Sequence, residues 1–233
     1  TAKMLAEQGA SHGTLVVAER QVSGRGRRGR PWHSPKGSGI WMSILLRPQI
    51  HPMSASMLTL VAAMAVYDAI SSRVEGCAIK WPNDIVIDGR KVCGILTEMS
   101  SELDNIHYVV IGIGINVNTD DFPEDIASVA ASMHVITGAY YKRAEIIADT
   151  WKAFEKYYDL FVQTENLALM VDAYNQRLVN MDRRVMIEER GHRYEGTARG
   201  IDAEGALLVE RDDGTTTSVI SGEVSVRGVL GYV

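Results

Sequence analysis

The sequence predicts an α+β protein in two parts: a larger region of helices packed on a sheet, then a small all-β region shaped as a barrel. Two observations predict it. Up to Phe161, runs of strand character alternate with longer runs whose apolar residues recur at helical spacing. After Asp182, five short strand-like runs follow one another, punctuated by Gly191, Gly205, Gly214 and Gly222. A boundary near Val179 to Asp182 gives regions 1–180 and 181–233.

Taken in order, Ala2 to Gln8 reads as a helix stopped by Gly9, and Leu15 to Ala18 as a buried strand. Arg20 to Gly39 carries five glycines, two prolines and five arginines, so a long loop is expected. Ile40 to Leu46 resumes strand character. Met57, Leu60, Val61, Met64 and Tyr67 then recur at helical spacing after Pro52. Ile85–Ile87, Val92–Leu96 and Tyr108–Ile115 are strands separated by the turn pairs Asp88–Gly89 and Asp104–Asn105, the first a strong hairpin signal. Ile147, Trp151, Phe154, Tyr158 and Phe161 step by four and three, which predicts a helix packing that face on a sheet. The final strands are expected at Arg184–Glu188, Tyr194–Ile201, Ala206–Val209, Thr216–Ile220 and Val224–Arg227.

Composition removes several function classes. The 233 residues carry 24 Lys or Arg against 29 Asp or Glu, and this net −5 argues against general nucleic-acid binding. The longest apolar stretch, Leu58 to Ile70, holds Thr59 and Asp68 and is shorter than the roughly 20 residues of a membrane span, so none is expected. Two cysteines do not make a disulfide framework, and no secretory signal opens the chain; a cytoplasmic setting is expected. The six histidines are scattered singly, and no G-x-S-x-G elbow, Walker loop or H-E-x-x-H occurs.

Three segments carry candidate chemistry. Gly24-Arg25-Gly26-Arg27-Arg28-Gly29-Arg30 puts four guanidinium groups on a backbone loosened by three glycines. Arginine's planar fork matches phosphate oxygens, and glycine lets backbone approach them. A solvated basic loop and an RGG-type RNA-binding tract are the competing readings. Lys80-Trp81-Pro82-Asn83-Asp84 places Lys80 at a strand end, either as a preorganised ammonium or as a surface charge; Trp81 reads as packing, and Asn83 and Asp84 as turn formers. Val110 to Asn116 begins like a dinucleotide fingerprint, but the third glycine falls on Val117. Glycines within a strand point instead to a ligand or backbone coming close, with Asn116 able to both donate to and accept from a base.

Together these segments resemble the biotin protein ligase family. The resemblance rests on Gln21 through GRGRRGR to Trp32, on KWPND at Lys80 to Asp84 with the following GRKVCGILTE, and on GIGINVN at Gly112 to Asn118. The tail, GIDAEGALLVE at Gly200 to Glu210 and SGEVSVRG at Ser221 to Gly228, is similar to that family's Src-homology-3-like C-terminal barrel. The resemblance implies a mixed sheet with flanking helices like that of class II aminoacyl-tRNA synthetases. It also implies ATP and biotin as substrates, Mg²⁺, biotinyl-5′-AMP as intermediate, and a lysine of a biotin carboxyl carrier domain as acceptor. By it, Lys80 and Arg27 are catalytic, and Gln21, Gly24, Arg25, Gly26, Arg27, Trp32, Lys80, Gly94, Gly112, Gly114 and Asn116 bind substrate. Residues 117–133 would order around the adenosine, and a homodimer would form through edge strands. The family's Ser-Thr-Asn segment is expected just upstream of the first helix, and these residues hold no counterpart of the winged helix-turn-helix that some members carry. A related lipoate-attaching enzyme and a nucleic-acid-binding module using the arginine loop are the rival functions.

Overall fold

The computed structural model describes residues 1–189, 191–220 and 223–226. Its elements are α1 (Ala2–Glu7), β1 (Thr14–Ala18), β2 (Ile40–Leu46), α2 (Leu58–Ser71), β3 (Cys77–Lys80), β4 (Asp84–Ile87), β5 (Arg90–Glu102), β6 (Asn105–Ile115), α3 (Met133–Thr137), α4 (Arg143–Thr164) and α5 (Val171–Asn175). There follow β7 (Arg184–Glu189), β8 (His192–Ile201), β9 (Leu207–Glu210), β10 (Thr216–Val219) and β11 (Glu223–Val226). Short 3₁₀ turns occupy Arg27–Gly29, inside the expected loop, and Pro52–Met57. Arg227, Ser221, Gly222 and the rest of the SGEVSVRG motif beyond Val226 lie outside the described residues.

The first sheet runs β1-β2-β6-β5-β4-β3, and every pair is antiparallel. This corrects the mixed sheet expected from the resemblance: in the larger region parallel pairing survives only in the isolated bridges Ile79–Leu178 and Lys91–Ala130. The cause is local. Two-residue connections at 88–89 and 103–104 can join only antiparallel neighbours, and Asp88 (φ 49°) with Gly89 (φ 75°) takes the doubly left-handed form that matches strand twist.

The second sheet runs β10-β9-β8-β7-β11 and is open among the described residues, which corrects the closed barrel. Its end strands β10 and β11 have four residues each and sit at opposite edges, with no pairing between them.

Alternation along the strands gives the first sheet two unlike faces. Ile111, Ile113 and Ile115 of β6 are buried on one face, while Gly112 and Gly114 point to the other. The isoleucine face is covered by α2, which is apolar all round and buried from Leu58 to Ile70 save Thr59, Tyr67 and Asp68. With its leading turn, Pro52–Ser71 is 20 residues long, so the expectation that no stretch reaches spanning length needs correcting. Two thirds of it is buried inside the protein, which makes it a core helix.

Helix α4 packs chiefly on α2 rather than on the sheet. Its buried stripe is Ile146, Thr150, Phe154, Tyr157 and Phe161, so the expected Ile147, Trp151 and Tyr158 lie on its partly buried flank. A polar anchor accounts for the rotation: Tyr157 Oη donates to Asp68 of α2 at 2.7 Å and accepts from Arg177 at 3.0 Å. One apolar cluster continues through both sheets, and Trp81 Nε1 donates across to the Gly205 carbonyl at 3.0 Å.

Truncating Phe154 to Ala is expected to cost about 3–5 kcal/mol, as for a fully buried aromatic ring. Tyr158→Ala, on the flank, is expected to cost less. Urea denaturation of both variants checks the order, and a larger loss at Tyr158 contradicts this placement of α4.

Candidate functional site

Strand register assembles the site on the glycine face. Across the sheet, Trp41 opposes Gly114, Gly114 opposes Gly94, and Gly94 opposes Asp84, which in turn opposes Lys80. One step along, Ser43, Gly112 and Leu96 align on the same face. Trp32 lies flat over this floor. A Cβ at Gly114 would stand 2.5 Å from Trp32 Nε1, and one at Gly94 would stand 2.9 Å from Cζ3, so both positions require glycine. At Gly112 the nearest atoms would be Leu96 O at 3.6 Å and Ser43 Oγ at 3.9 Å. The floor is therefore occupied by indole at one end and open beside it.

The arginine segment closes over this face as a small hairpin. Trp32 N donates to Gly24 O at 2.9 Å, Gly26 N donates to Arg30 O at 2.7 Å, and Arg25 bridges Pro31. At the tip Arg28 (φ 58°) and Gly29 (φ 74°) are both left-handed, which turns the chain in two residues. A Cβ on Gly24 would meet Trp32 O at 2.4 Å, so the loop's base is tightly packed. Gln21 Oε1 accepts from the buried Ser34 hydroxyl at 2.8 Å and so lies against the same base.

Cations are concentrated where water is scarce. Lys80 is 8% exposed, and its ammonium donates to the Val224 carbonyl of β11 at 2.8 Å. Burial lowers its pKa; Asp84 and Glu223 oppose that shift, whereas Lys91 and Arg27 reinforce it. Arg27, half-buried, is lowered first by burial and then by the adjacent Arg28 charge, against Asp84 and Glu223. Arg25, Arg28 and Arg30 are exposed. Glu223 Oε1 accepts from Arg30 Nη2 at 2.6 Å and lies 3.3 Å from Arg28 Nη1.

Asn83 Nδ2 donates to Ile95 O of β5 at 3.0 Å, a bond across to the next strand rather than the local one expected of a turn former. Asp84 sits in β4, buried, and pairs with Lys91 at 2.5 Å. Asn116 is buried beyond the end of β6. Its Nδ2 donates to Ala131 O at 3.2 Å, and its backbone joins Val92 and Met133. The 117–133 segment is tied to β5, since Lys91 N donates to Val129 O and Ala131 N to Lys91 O. Neither cysteine offers a nucleophile: burial pushes the Cys77 thiol up to about 12 and that of Cys93 well above its ordinary value.

Most of the site residues singled out in sequence thus border one face, with Gln21, Gly24 and Trp32 at the loop's base, Gly26 and Arg27 nearer its tip, Gly94, Gly112 and Gly114 in the floor, and Lys80 opposite Asp84, whereas Arg25 is exposed on the hairpin and Asn116 lies past the end of β6 with its amide on Ala131 O. Sequence reasoning missed Glu223 and Lys91. The Glu223 contact joins residues 193 positions apart and has no local signal. Lys91 depends on a strand irregularity that sequence spacing conceals.

Comparison with known proteins bears on this arrangement. Residues 2–116 match the model of the biotin/lipoate A/B protein ligase family, and residues 181–227 match the biotin protein ligase C-terminal domain. The bifunctional ligase/repressor BirA of Bacillus spizizenii is 44% identical over 92% of this chain, which spans 66% of that protein's length. A biotin–[acetyl-CoA-carboxylase] ligase of Paracoccus denitrificans is 33% identical over 86% of this chain and 85% of its own. Among solved structures, the biotin protein ligase of Aquifex aeolicus in complex with biotin and ATP superimposes with a TM-score of 0.84 at 30% identity, covering 97% of this chain and 94% of that one.

The floor geometry separates two neighbouring glycines. Gly114→Ala is expected to displace Trp32 and change tryptophan fluorescence, at a stability cost of about 1–3 kcal/mol for overpacking. Gly112→Ala is expected to leave both nearly unchanged. Equal effects at the two positions contradict the described seat of the indole.

Proposed function

We propose, for a chain that belongs to the biotin protein ligase family, that it joins biotin to ATP and then passes the biotinyl group to a lysine of a biotin carboxyl carrier domain. The observation that carries this reading is the pairing of two partly dehydrated cations, Lys80 and Arg27, above a sheet face left open at Gly112. A compact fused bicycle, ureido on one side and thioether on the other, fits a glycine floor beside an indole, and a carboxylate beside a phosphate needs cations fixed in advance.

In the first step a biotin carboxylate oxygen attacks the α-phosphorus, and the bond to the β-phosphate breaks, releasing pyrophosphate. Two anions must approach each other with little water between them. Lys80 bridges the carboxylate and the α-phosphate, Arg27 and Arg25 take up phosphate charge, and Gln21 with Gly24 and Gly26 shapes the loop around the ring. Asn116 serves the adenine, with 117–133 folding over the adenosine. Among the described residues no three His, Cys, Asp or Glu side chains are grouped to hold a cation. On this reading Mg²⁺ enters on the triphosphate and is part of the substrate.

The resulting mixed anhydride is reactive toward water, and the arginine hairpin shields it until the acceptor arrives. In the second step the carrier lysine, its ammonium proton given up to solvent, attacks the acyl carbon through nitrogen; the bond from that carbon to the phosphate oxygen breaks, AMP leaves, and the new amide sheds its second proton to solvent. The same reading carries a domain division at about residue 180, a cytoplasmic setting and a homodimer, for which β1 offers an edge strand of the first sheet.

The direct test is to incubate the protein with biotin, MgATP and a carrier domain, then weigh the acceptor. The addition of one biotinyl group is expected; addition with lipoate and not with biotin overturns the reading. Lys80→Ala and Arg27→Gly are each expected to lose on the order of 2–4 kcal/mol of transition-state stabilisation, the scale of one preorganised donor. Biotin-dependent pyrophosphate exchange measures the loss, and wild-type rates contradict the assigned roles. Arg27→Gly is also expected to release more free adenylate than the unmutated protein.

A further inference from the structure

Three successive rows of residues cross the glycine face from β2 through β6 to β5: Trp41–Gly114–Gly94, Ser43–Gly112–Leu96 and Leu45–Val110–Glu98. Residues on one face of a strand recur every second position, so the rows stand about 7 Å apart. The indole of Trp32 lies on the first row. Helix α1 lies on the third, where Ala2 and Ala6 are buried against Leu45 and Val110, so that small side chains bring helix and sheet close. The middle row, Ser43, Gly112 and Leu96, is left half-buried between them. The open floor is therefore a slot one row wide, with the indole as one wall and α1 as the other.

A six-residue helix has little stability of its own, so the second wall must be held from outside. Lys3 pairs with Glu98, but both side chains are close to half exposed, and such a pair contributes little. Arg47, the first residue after β2, makes the stronger attachment. Its guanidinium donates through Nη2 to Ala6 O at 2.7 Å, through Nε to Ala10 O at 3.1 Å and through Nη1 to His107 O of β6 at 2.8 Å. Its backbone N–H donates to His12 Nδ1 at 3.0 Å. All three partners of the side chain are main-chain carbonyls, so a charge-assisted fork joins the end of α1 and the turn after it to the sheet. We propose that Arg47 is a positioning residue for biotin, holding α1 as the end wall of the slot that receives the ring. The inference rests on the biotin-adenylating reading of this face. The first row runs on through Asp84 to Lys80, which puts the phosphate side of the site at the indole end. A displaced α1 therefore reaches the ring and not the nucleotide.

Arg47→Met keeps an apolar stem and removes all three donors. In biotin-dependent pyrophosphate exchange it is expected to raise the KM for biotin by about ten- to a hundredfold, the scale of a small misplacement, with the KM for ATP and kcat changed much less. A general loss of stability would not separate the two substrates in this way. Ala6→Val leaves Arg47 intact and adds bulk between α1 and the row of Leu45 and Val110, so it is expected to raise the KM for biotin in the same selective manner. Lys3→Met removes the exposed tether and is expected to leave both KM values near those of the unmutated protein. A folded Arg47→Met with an unchanged KM for biotin, or with the KM for ATP raised as much, overturns the proposal and leaves the ligase reading standing; so does a Lys3→Met that matches Arg47→Met. Should Arg47→Met fail to fold, Ala6→Val decides, and an unchanged KM for biotin there overturns the proposal. Absence of biotin-dependent exchange in the unmutated protein overturns the ligase reading itself.

Discussion

Alternation along β6 sends Ile111, Ile113 and Ile115 into the core and leaves Gly112 and Gly114 on the opposite face, and the site depends on that one constraint. A side chain at either Gly94 or Gly114 would occupy the place of the Trp32 ring. Without the ring there, the arginine hairpin would lose the platform on which its base is packed. The isoleucines serve the same end from behind, since a helix as apolar as α2 holds the strands rigid under the floor. Rigidity matters because electrostatic catalysis works only when charges are placed before the reactants arrive.

The second consequence is electrostatic. In a chain of net −5 the arginine hairpin and Lys80 bring several cations to one face, and burial of Lys80 and Arg27 leaves these two poorly solvated. Their field is met by Asp84, by Glu223 and by the Val224 carbonyl. A phosphate or carboxylate entering the face competes with those protein groups for the same donors. The arginine tip is likewise engaged with Glu223 of the second sheet, so that sheet takes part in the site. This arrangement also weakens the nucleic-acid rival, because Arg28 and Arg30 turn toward a carboxylate rather than extending a basic surface.

Much of the fold was legible in the sequence where local chemistry decides it. The Asp88–Gly89 hairpin, the Ile40–Leu46 strand and the core helix after Pro52 follow from turn preference and apolar pattern. The rotation of α4 was not legible, because Tyr157 is held by Asp68 and Arg177 from distant parts of the chain. The pairing of β2 with β1 and with the distant β6, and the open second sheet, are likewise set by which strands meet, not by what each strand is made of. For the site, the glycines, arginines and Lys80 stand out as residue types in tight motifs. Lys91 and Glu223 do not, since one is turned into place by a bulge and the other arrives from β11.

The most direct test of the central claim is a crystal structure of the protein with biotin and a non-hydrolysable ATP analogue. The biotin ring is expected over Gly112 beside Trp32, with its carboxylate and the α-phosphate both within hydrogen-bond reach of the Lys80 ammonium. Biotin and nucleotide bound on any other face, or a Lys80 ammonium still held by Val224 with neither ligand near it, would contradict it.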